Sequence, residues 1–353
     1  MYKKLYPLYF LASICFLIIN KQMQAQDIHF SQDIYTPMLT NPAMAGLISG
    51  DIRADLVYRN QGFSFMGANS YKTYLASVDG KVWAPDYSDN WLGAGILLYT
   101  DKAGDLDFST TEADLSIAYV IGVSEKTHVS AGLQVGFVQQ GFDLANAQFG
   151  SQFVDGSFNE NAASGENIDQ TSISFAQVGA GLMFVTAPEL RQYLYGGAAF
   201  FHANTPDNNF FDDSRERLDA KWVLQLGGSQ DVSNNFDVVP SAYFSLQGAS
   251  WKVNASALLR YVMYENSREG KLNSISFGPG YRVNGGNQQL HGDALLLMAQ
   301  MDIEHWQVGV GYDITLSSLK NANNGSGAIE VALSYMAALR TKSAGPQFNC
   351  PRF

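Results

Sequence analysis

The feature that most constrains this chain is an alternation of apolar and polar residues with period two, repeated along most of its length. Between His128 and Gln140, the side chains of Val129, Ala131, Leu133, Val135 and Phe137 fall on one side. His128, Ser130, Gly132, Gln134 and Gly136 fall on the other. A helix would scatter these apolar residues around its axis, whereas a strand gathers them on one face. The same rhythm runs through Trp251–Met263, Trp306–Leu316 and Ile329–Ala337. These stretches exceed the roughly 5–6 residues of an ordinary soluble strand. They suit a tilted strand of about 9–11 residues that crosses a bilayer.

Strands are expected near 50–60, 70–82, 91–101, 107–121, 127–140, 171–186, 191–203, 218–230, 235–247, 249–264, 272–284, 290–302, 305–317 and 326–340. About fourteen strands make an even set, as bacterial outer-membrane barrels require. The fold class predicted is therefore all-β, an outer-membrane antiparallel β-barrel with both termini periplasmic. The longest connections, 141–170 and 204–217, follow odd-numbered strands, whereas 187–190, 231–234 and 303–304 follow even ones and are short. Long outer loops and short periplasmic turns are the rule for such barrels. Trp83, Trp91, Tyr99, Trp222, Tyr264 and Trp306 stand near strand ends and read as interfacial girdles. No apolar run after residue 25 reaches 18 residues, which excludes a helical membrane protein.

The start of the chain has the layout of a secretory signal peptide. Lys3 and Lys4 precede an apolar stretch from Leu5 to Ile19, a polar stretch and then Ala25, after which cleavage is expected. Cys15 is not read as a lipoprotein site, because Ile14 stands where a small residue is needed. The whole chain carries a formal charge of −11; residues 1–25 contain three lysines and no acid, so the processed chain carries −14. That balance argues against a nucleic-acid partner, which needs a basic surface. The organisation expected is a leader at 1–25, a periplasmic N-terminal segment at 26–49, a barrel at 50–340 and a periplasmic tail at 341–353.

The sequence offers little chemistry. The histidines are scattered, no His-Glu-x-x-His pair occurs, and Cys15 and Cys350 are the only cysteines. Gly46–Gly50 places Ser49 one position too late for a nucleophile elbow. Asn321, Asn323 and Gly325 lack the glutamate a calcium loop needs. No catalytic residue, metal site or cofactor is therefore expected. Charged residues on the less apolar strand faces are expected to pair inside the barrel, since Arg or Lys on the lipid face costs about 2–4 kcal/mol at mid-depth. They are Arg53, Asp55, Arg59, Lys72, Glu112, Asp114, Lys252, Arg260, Arg282 and Glu330, with Asp293 added to the lumen network. Such a network is consistent with a selective pore, with a partner-docking site or with plain filling of the lumen.

Both ends of the processed chain carry a family resemblance. It opens Gln26-Asp-Ile-His-Phe-Ser-Gln-Asp-Ile-Tyr35, Thr36-Pro-Met-Leu-Thr-Asn-Pro-Ala-Met-Ala-Gly46 and Tyr58-Arg-Asn-Gln61. Later come Gly280-Tyr-Arg282 with Asp293-Ala294, Val308–Ser317, Gly327–Tyr335 and the terminus Cys350-Pro-Arg-Phe353. Together these segments resemble the PorP/SprF family of type IX secretion membrane proteins from Bacteroidetes. Met38-Leu39 and Met44 depart from it, standing where the family often has aromatics. The resemblance implies a barrel without enzymatic activity that serves secretion and surface attachment of exported proteins, including gliding adhesins with a C-terminal sorting domain. It also implies association with periplasmic type IX secretion components, besides outer-membrane lipid. Asn41, Pro42 and Gly46 are candidates for a plug or a docking turn, and Pro351, Arg352 and Phe353 for binding a periplasmic partner. A passive channel or transporter for small solutes is the alternative function.

Overall fold

The structure, a computed structural model, describes residues 27–338 apart from 86–87, 105, 145–146, 155–156, 160, 164, 166–169, 211–216, 267–270, 287–288 and 318–319. Fourteen antiparallel strands close into a barrel. They are β1 (Ile52–Gln61), β2 (Tyr71–Trp83), β3 (Trp91–Ala103), β4 (Phe108–Ser124), β5 (Thr127–Gly141), β6 (Ser172–Thr186) and β7 (Tyr193–Phe201). The second half comprises β8 (Lys221–Ser233), β9 (Phe236–Gln247), β10 (Ser250–Asn266), β11 (Lys271–Gly286), β12 (Gln289–Ile303), β13 (Trp306–Thr315) and β14 (Ser326–Ala337). Each strand pairs with its sequence neighbours, and β1 meets β14 from Ile52 opposite Ala337 to Gln61 opposite Ala328. Closure leaves no edge strand.

The period-two pattern sets which way each side chain points. On β5, Val129, Leu133, Val135 and Phe137 are exposed outward, while His128, Ser130 and Gln134 are buried inward. The outward belt ends in aromatic pairs. Trp306 and Tyr335 lie 4.6 Å apart at the end where β1 starts, and Phe200 and Trp222 lie 4.4 Å apart at the opposite end. Trp91 and Tyr99 depart from the girdle expectation, because both point inward and are buried. Lys72 also departs from expectation: it shares the outward row of β2 with Tyr74 and Val78, opposite Asn60, instead of facing the lumen. The inward face is less uniformly polar than the alternation suggests, since Val57, Leu75, Leu97, Val120, Met183 and Val185 are all buried on it.

Those inward apolar residues are explained by residues 27–50. This segment does not stand apart from the barrel but runs through its lumen as short helical turns at Asp33–Tyr35, Pro37–Thr40 and Pro42–Met44. Asn41 accepts from Ala43 N and so starts the last turn, while the prolines at 37 and 42 fill first-turn positions where no amide donor is needed. Phe30, Tyr35, Met38 and Ala45 pack against Val57, Leu75, Leu97, Tyr99 and Ala332. Ala43, Met44 and Leu47 pack against Trp91, Val120, Met183 and Val185.

The long connections, 142–171 and 202–220, lie at the end of the barrel opposite the start of β1 and the finish of β14. Asp27 lies at that same long-loop end, against His202, Lys221 and Gln247. The described chain therefore begins at one end of the barrel and leaves β14 at the other. Counting strands does not register such a segment, which crosses the lumen before β1.

The outward belt yields a test at Leu133, which is central on β5 and 67% exposed. Leu133→Arg should lower barrel stability in lipid by about 2–4 kcal/mol, read from urea unfolding in vesicles. An unchanged unfolding midpoint would contradict the assignment of this face to lipid.

Candidate functional site: the filled lumen

Four contacts tie the internal segment to the wall, and the most connected centres on Ser31. Its backbone amide donates to Glu330 Oε2 at 2.8 Å, and the amide of Gln32 donates to Glu330 Oε1 at 2.8 Å. Ser31 Oγ donates to Asp313 Oδ1 at 2.8 Å and accepts from Arg59 Nη1 at 2.8 Å and Arg282 Nη1 at 3.0 Å. Asn254 Nδ2 donates to the Ser31 carbonyl at 3.1 Å. Around this serine, Arg59 pairs with Asp313 at 2.8 Å and Glu330 at 3.2 Å, and Arg282 pairs with Asp313 at 2.8 Å and also with Asp293. Charges buried this deeply persist only when paired and hydrogen-bonded.

The second contact holds the turn that leads into β1. Arg53 makes a two-pronged bond to Asp79, Nε to Oδ1 at 2.8 Å and Nη2 to Oδ2 at 3.0 Å, and also reaches the Met44 carbonyl. Asp79 Oδ2 accepts from the Gly46 amide at 2.7 Å, and Trp91 Nε1 donates to the Gly46 carbonyl at 2.8 Å. Asp55 lies 3.5 Å from Arg53. The third contact lies midway. Asn41 Nδ2 donates to the Leu182 carbonyl at 3.0 Å, Ser130 Oγ donates to the Ala43 carbonyl at 2.7 Å, and Gln134 Nε2 donates to the Met38 carbonyl at 3.2 Å. Wall glycines make this approach possible: a Cβ on Gly132 would stand 2.5 Å from Ala43 N, and one on Gly93 would collide with the Ala45 carbonyl.

At the long-loop rim, Asp27 Oδ2 lies 2.8 Å from His202 Nε2 and 3.1 Å from Lys221 Nζ, and Oδ1 accepts from Gln247 Nε2 at 3.1 Å. Burial pushes the Asp27 carboxyl upward, but Lys221 and His202 outweigh it and hold the group well below the usual carboxylate range.

Of the residues expected in a lumen network, Arg59, Arg282, Asp293 and Glu330 come together at Ser31. Arg53 and Asp55 form a separate group with Asp79. Arg260 joins Asp237 at 2.7 Å, and Arg191 from the connection before β7 joins the same carboxylate. Glu112 accepts from Tyr99 Oη at 2.7 Å and, like Asp114, from Gln177. Asn41, Pro42 and Gly46, the candidates for a plug or a docking turn, are all buried in the lumen against the wall. Pro351, Arg352 and Phe353 lie outside the described residues. Asp27, Ser31, Asp79, Asp237, Asp313 and His202 were not anticipated. The inward parity of Asp79, Asp237 and Asp313 was available in the strand alternation, whereas Asp27 and Ser31 precede the first strand and have no such signal. Among the described residues no group of three or more His, Cys, Asp or Glu is placed to hold a metal.

Two outcomes test this arrangement. Gly132→Val should unseat the Pro42–Met44 turn, read as faster proteolysis near residues 38–46 in the otherwise folded barrel; unchanged protection would contradict the close approach. The Asp27 contact has a pH sign. Its folded-state pKa is depressed, so its stabilisation is complete above the unfolded value near 3.8 and is lost as pH falls below it. Amide exchange at residues 27–30 should therefore be flat from pH 8 to 5, after correction for intrinsic rates, and accelerate below about pH 3.8. Loosening already at pH 6 would contradict it.

Solved structures that the chain resembles include the monoaromatic hydrocarbon channel CymD, at 12% identity and a TM-score of 0.48, covering 91% of this chain and 96% of that one. The toluene transporter TodX of Pseudomonas putida aligns at 11% identity and a TM-score of 0.44, covering 89% and 99%. CdiB from Acinetobacter baumannii aligns at 7% identity and a TM-score of 0.41, covering 81% and 60%. No curated protein matches in sequence. The family model described as type IX secretion system membrane protein PorP/SprF matches residues 22–335. With a closed barrel that is apolar outside, this places the protein in the outer membrane. The chain belongs to the PorP/SprF family of type IX secretion system membrane proteins.

Proposed function

We propose that this barrel is a sealed, non-enzymatic outer-membrane anchor of type IX secretion. Its long-loop end faces outward to dock an exported surface protein carrying a C-terminal sorting domain, and its other end faces the periplasmic secretion and gliding machinery. The observation that carries the reading is the lumen filled by residues 27–50. A barrel whose inward side chains are bonded to its own chain has no aqueous path to offer a solute, so its usable surfaces are its two ends. Connections 142–171 and 202–220 supply a large surface at one of them. Residues Pro351, Arg352 and Phe353 are proposed to bind a periplasmic component.

The competing reading, a passive channel for small solutes, requires steady conductance. The purified full-length barrel should be silent in planar bilayers; a stable ohmic current would favour the channel. Deleting the gene should remove a specific protein from the cell surface or abolish gliding, with recovery on complementation. An unchanged surface proteome and unchanged motility would defeat the secretion reading. Replacing Pro351 to Phe353 with serine should leave the barrel assembled but weaken pull-down of periplasmic secretion components; equal recovery would remove those residues from the proposal.

A further inference from the structure

Among the described residues, one buried cation of the lumen has no carboxylate at ion-pair distance. Six cationic side chains are buried on the described barrel wall: Arg53, Arg59, Lys221, Lys252, Arg260 and Arg282. Five have a carboxylate at ion-pair distance, namely Asp79 for Arg53, Asp313 for both Arg59 and Arg282, Asp27 for Lys221 and Asp237 for Arg260. Lys252 has none among the described residues. It is 5% exposed, and its ammonium meets the ring of Tyr243 at 5.6 Å. The charges that act on it most strongly are themselves positive: Lys221, Arg282 and Arg59. Asp33 faces the same space without coming within ion-pair distance.

The neighbouring polar atoms are also unsatisfied. Asn284 stands directly across the β10–β11 pairing from Lys252, and Asn254 is the next inward residue along β10. The Oδ1 atoms of both are buried without a hydrogen-bond partner, as is Nε2 of His29 on the internal segment. Lys252 lies two residues below the long-loop rim, where β9 and β10 are joined by 248–249 and β11 and β12 are separated by 287–288. These are the shortest connections between strands at that end. Water alone would satisfy the polar atoms but leave the charge, and an unpaired buried ammonium is strongly unfavourable.

We propose that Lys252, with His29, Asn254 and Asn284, forms a binding site at the long-loop end of the lumen for a small oxyanion or carboxylate. The anion accepts from the Lys252 ammonium and from the His29 imidazole N–H. The Oδ1 atoms of Asn254 and Asn284 accept from the remaining N–H groups of the ammonium and hold it in place, and Asn254 Nδ2 keeps its bond to the Ser31 carbonyl. The site takes a compact anion, because the internal segment closes the lumen beneath it.

The test is thermal unfolding of the full-length barrel in non-ionic detergent and low-salt zwitterionic buffer, titrated with potassium phosphate, acetate or chloride at matched ionic strength. For the wild type, phosphate or acetate should raise Tm by a few degrees in a saturable way, as a ligand specific to the folded state does. The more effective of the two tells a phosphate source from a carboxylate source, and chloride serves as the generic-salt control. Lys252→Met should unfold at a higher temperature than wild type without added anion and should lose the anion-dependent rise. Lys252→Arg should retain that rise, so the result does not depend on Lys252→Met alone. An equal anion effect in wild type and Lys252→Met, or none in wild type, would overturn the proposal. It would also fall if Lys252→Met and Asp33→Asn each lowered Tm by the same amount and not additively, since Asp33 would then be the partner.

Discussion

Everything in this structure depends on how the inward rows of the barrel are satisfied. The outward rows face hydrocarbon and need only be apolar. The inward rows hold arginines and carboxylates that neither lipid nor a dry interior tolerates singly. Residues 27–50 resolve this by supplying backbone amides, carbonyls and one serine hydroxyl at the points where wall charges need them. Ser31 shows the economy: one residue links Glu330, Asp313, Arg59, Arg282 and Asn254, from five strands and both sides of the β1–β14 closure. The apolar residues of the segment then cover the inward patches around Leu97 and Val120.

The same arrangement bears on how the barrel can serve secretion. Residues 27–50 run through the lumen from the long-loop rim to the start of β1. Those ends are not alike: the two long connections and Asp27 share one, and the finish of β14 lies at the other. The segment crosses between them before β1 begins. Contacts made at its Asp27 end and at its Gly46 end are thus joined by a single stretch of packed backbone.

The wall was legible in the sequence because its signal is local and repeated. All fourteen strands lie close to their expected positions, since alternation over ten or more residues leaves little choice of face. Arg53, Arg59, Arg260, Arg282 and Glu330 were readable for the same reason: inward parity followed from the apolar neighbours on either side. What escaped was whatever depended on residues 27–50. The segment has no period, so nothing in it announced that Met38 or Tyr35 would be buried, or that Asp27 would bond at the far rim. Trp91 and Tyr99 were misread as girdle residues because an inward aromatic makes sense only once there is something inside to pack on. Lys72 was misplaced near a strand end, where the alternation of β2 is shortest.

The central claim is that residues 27–50 are a fixed part of the barrel interior. Hydrogen exchange of the intact protein in detergent tests it most directly, at the amides of Ser31, Gln32 and Gly46, which are bonded to Glu330 and Asp79. The account predicts that they exchange as slowly as the amides of β1 and β14. Exchange within seconds while those strands stay protected would show a segment that visits the lumen without sealing it.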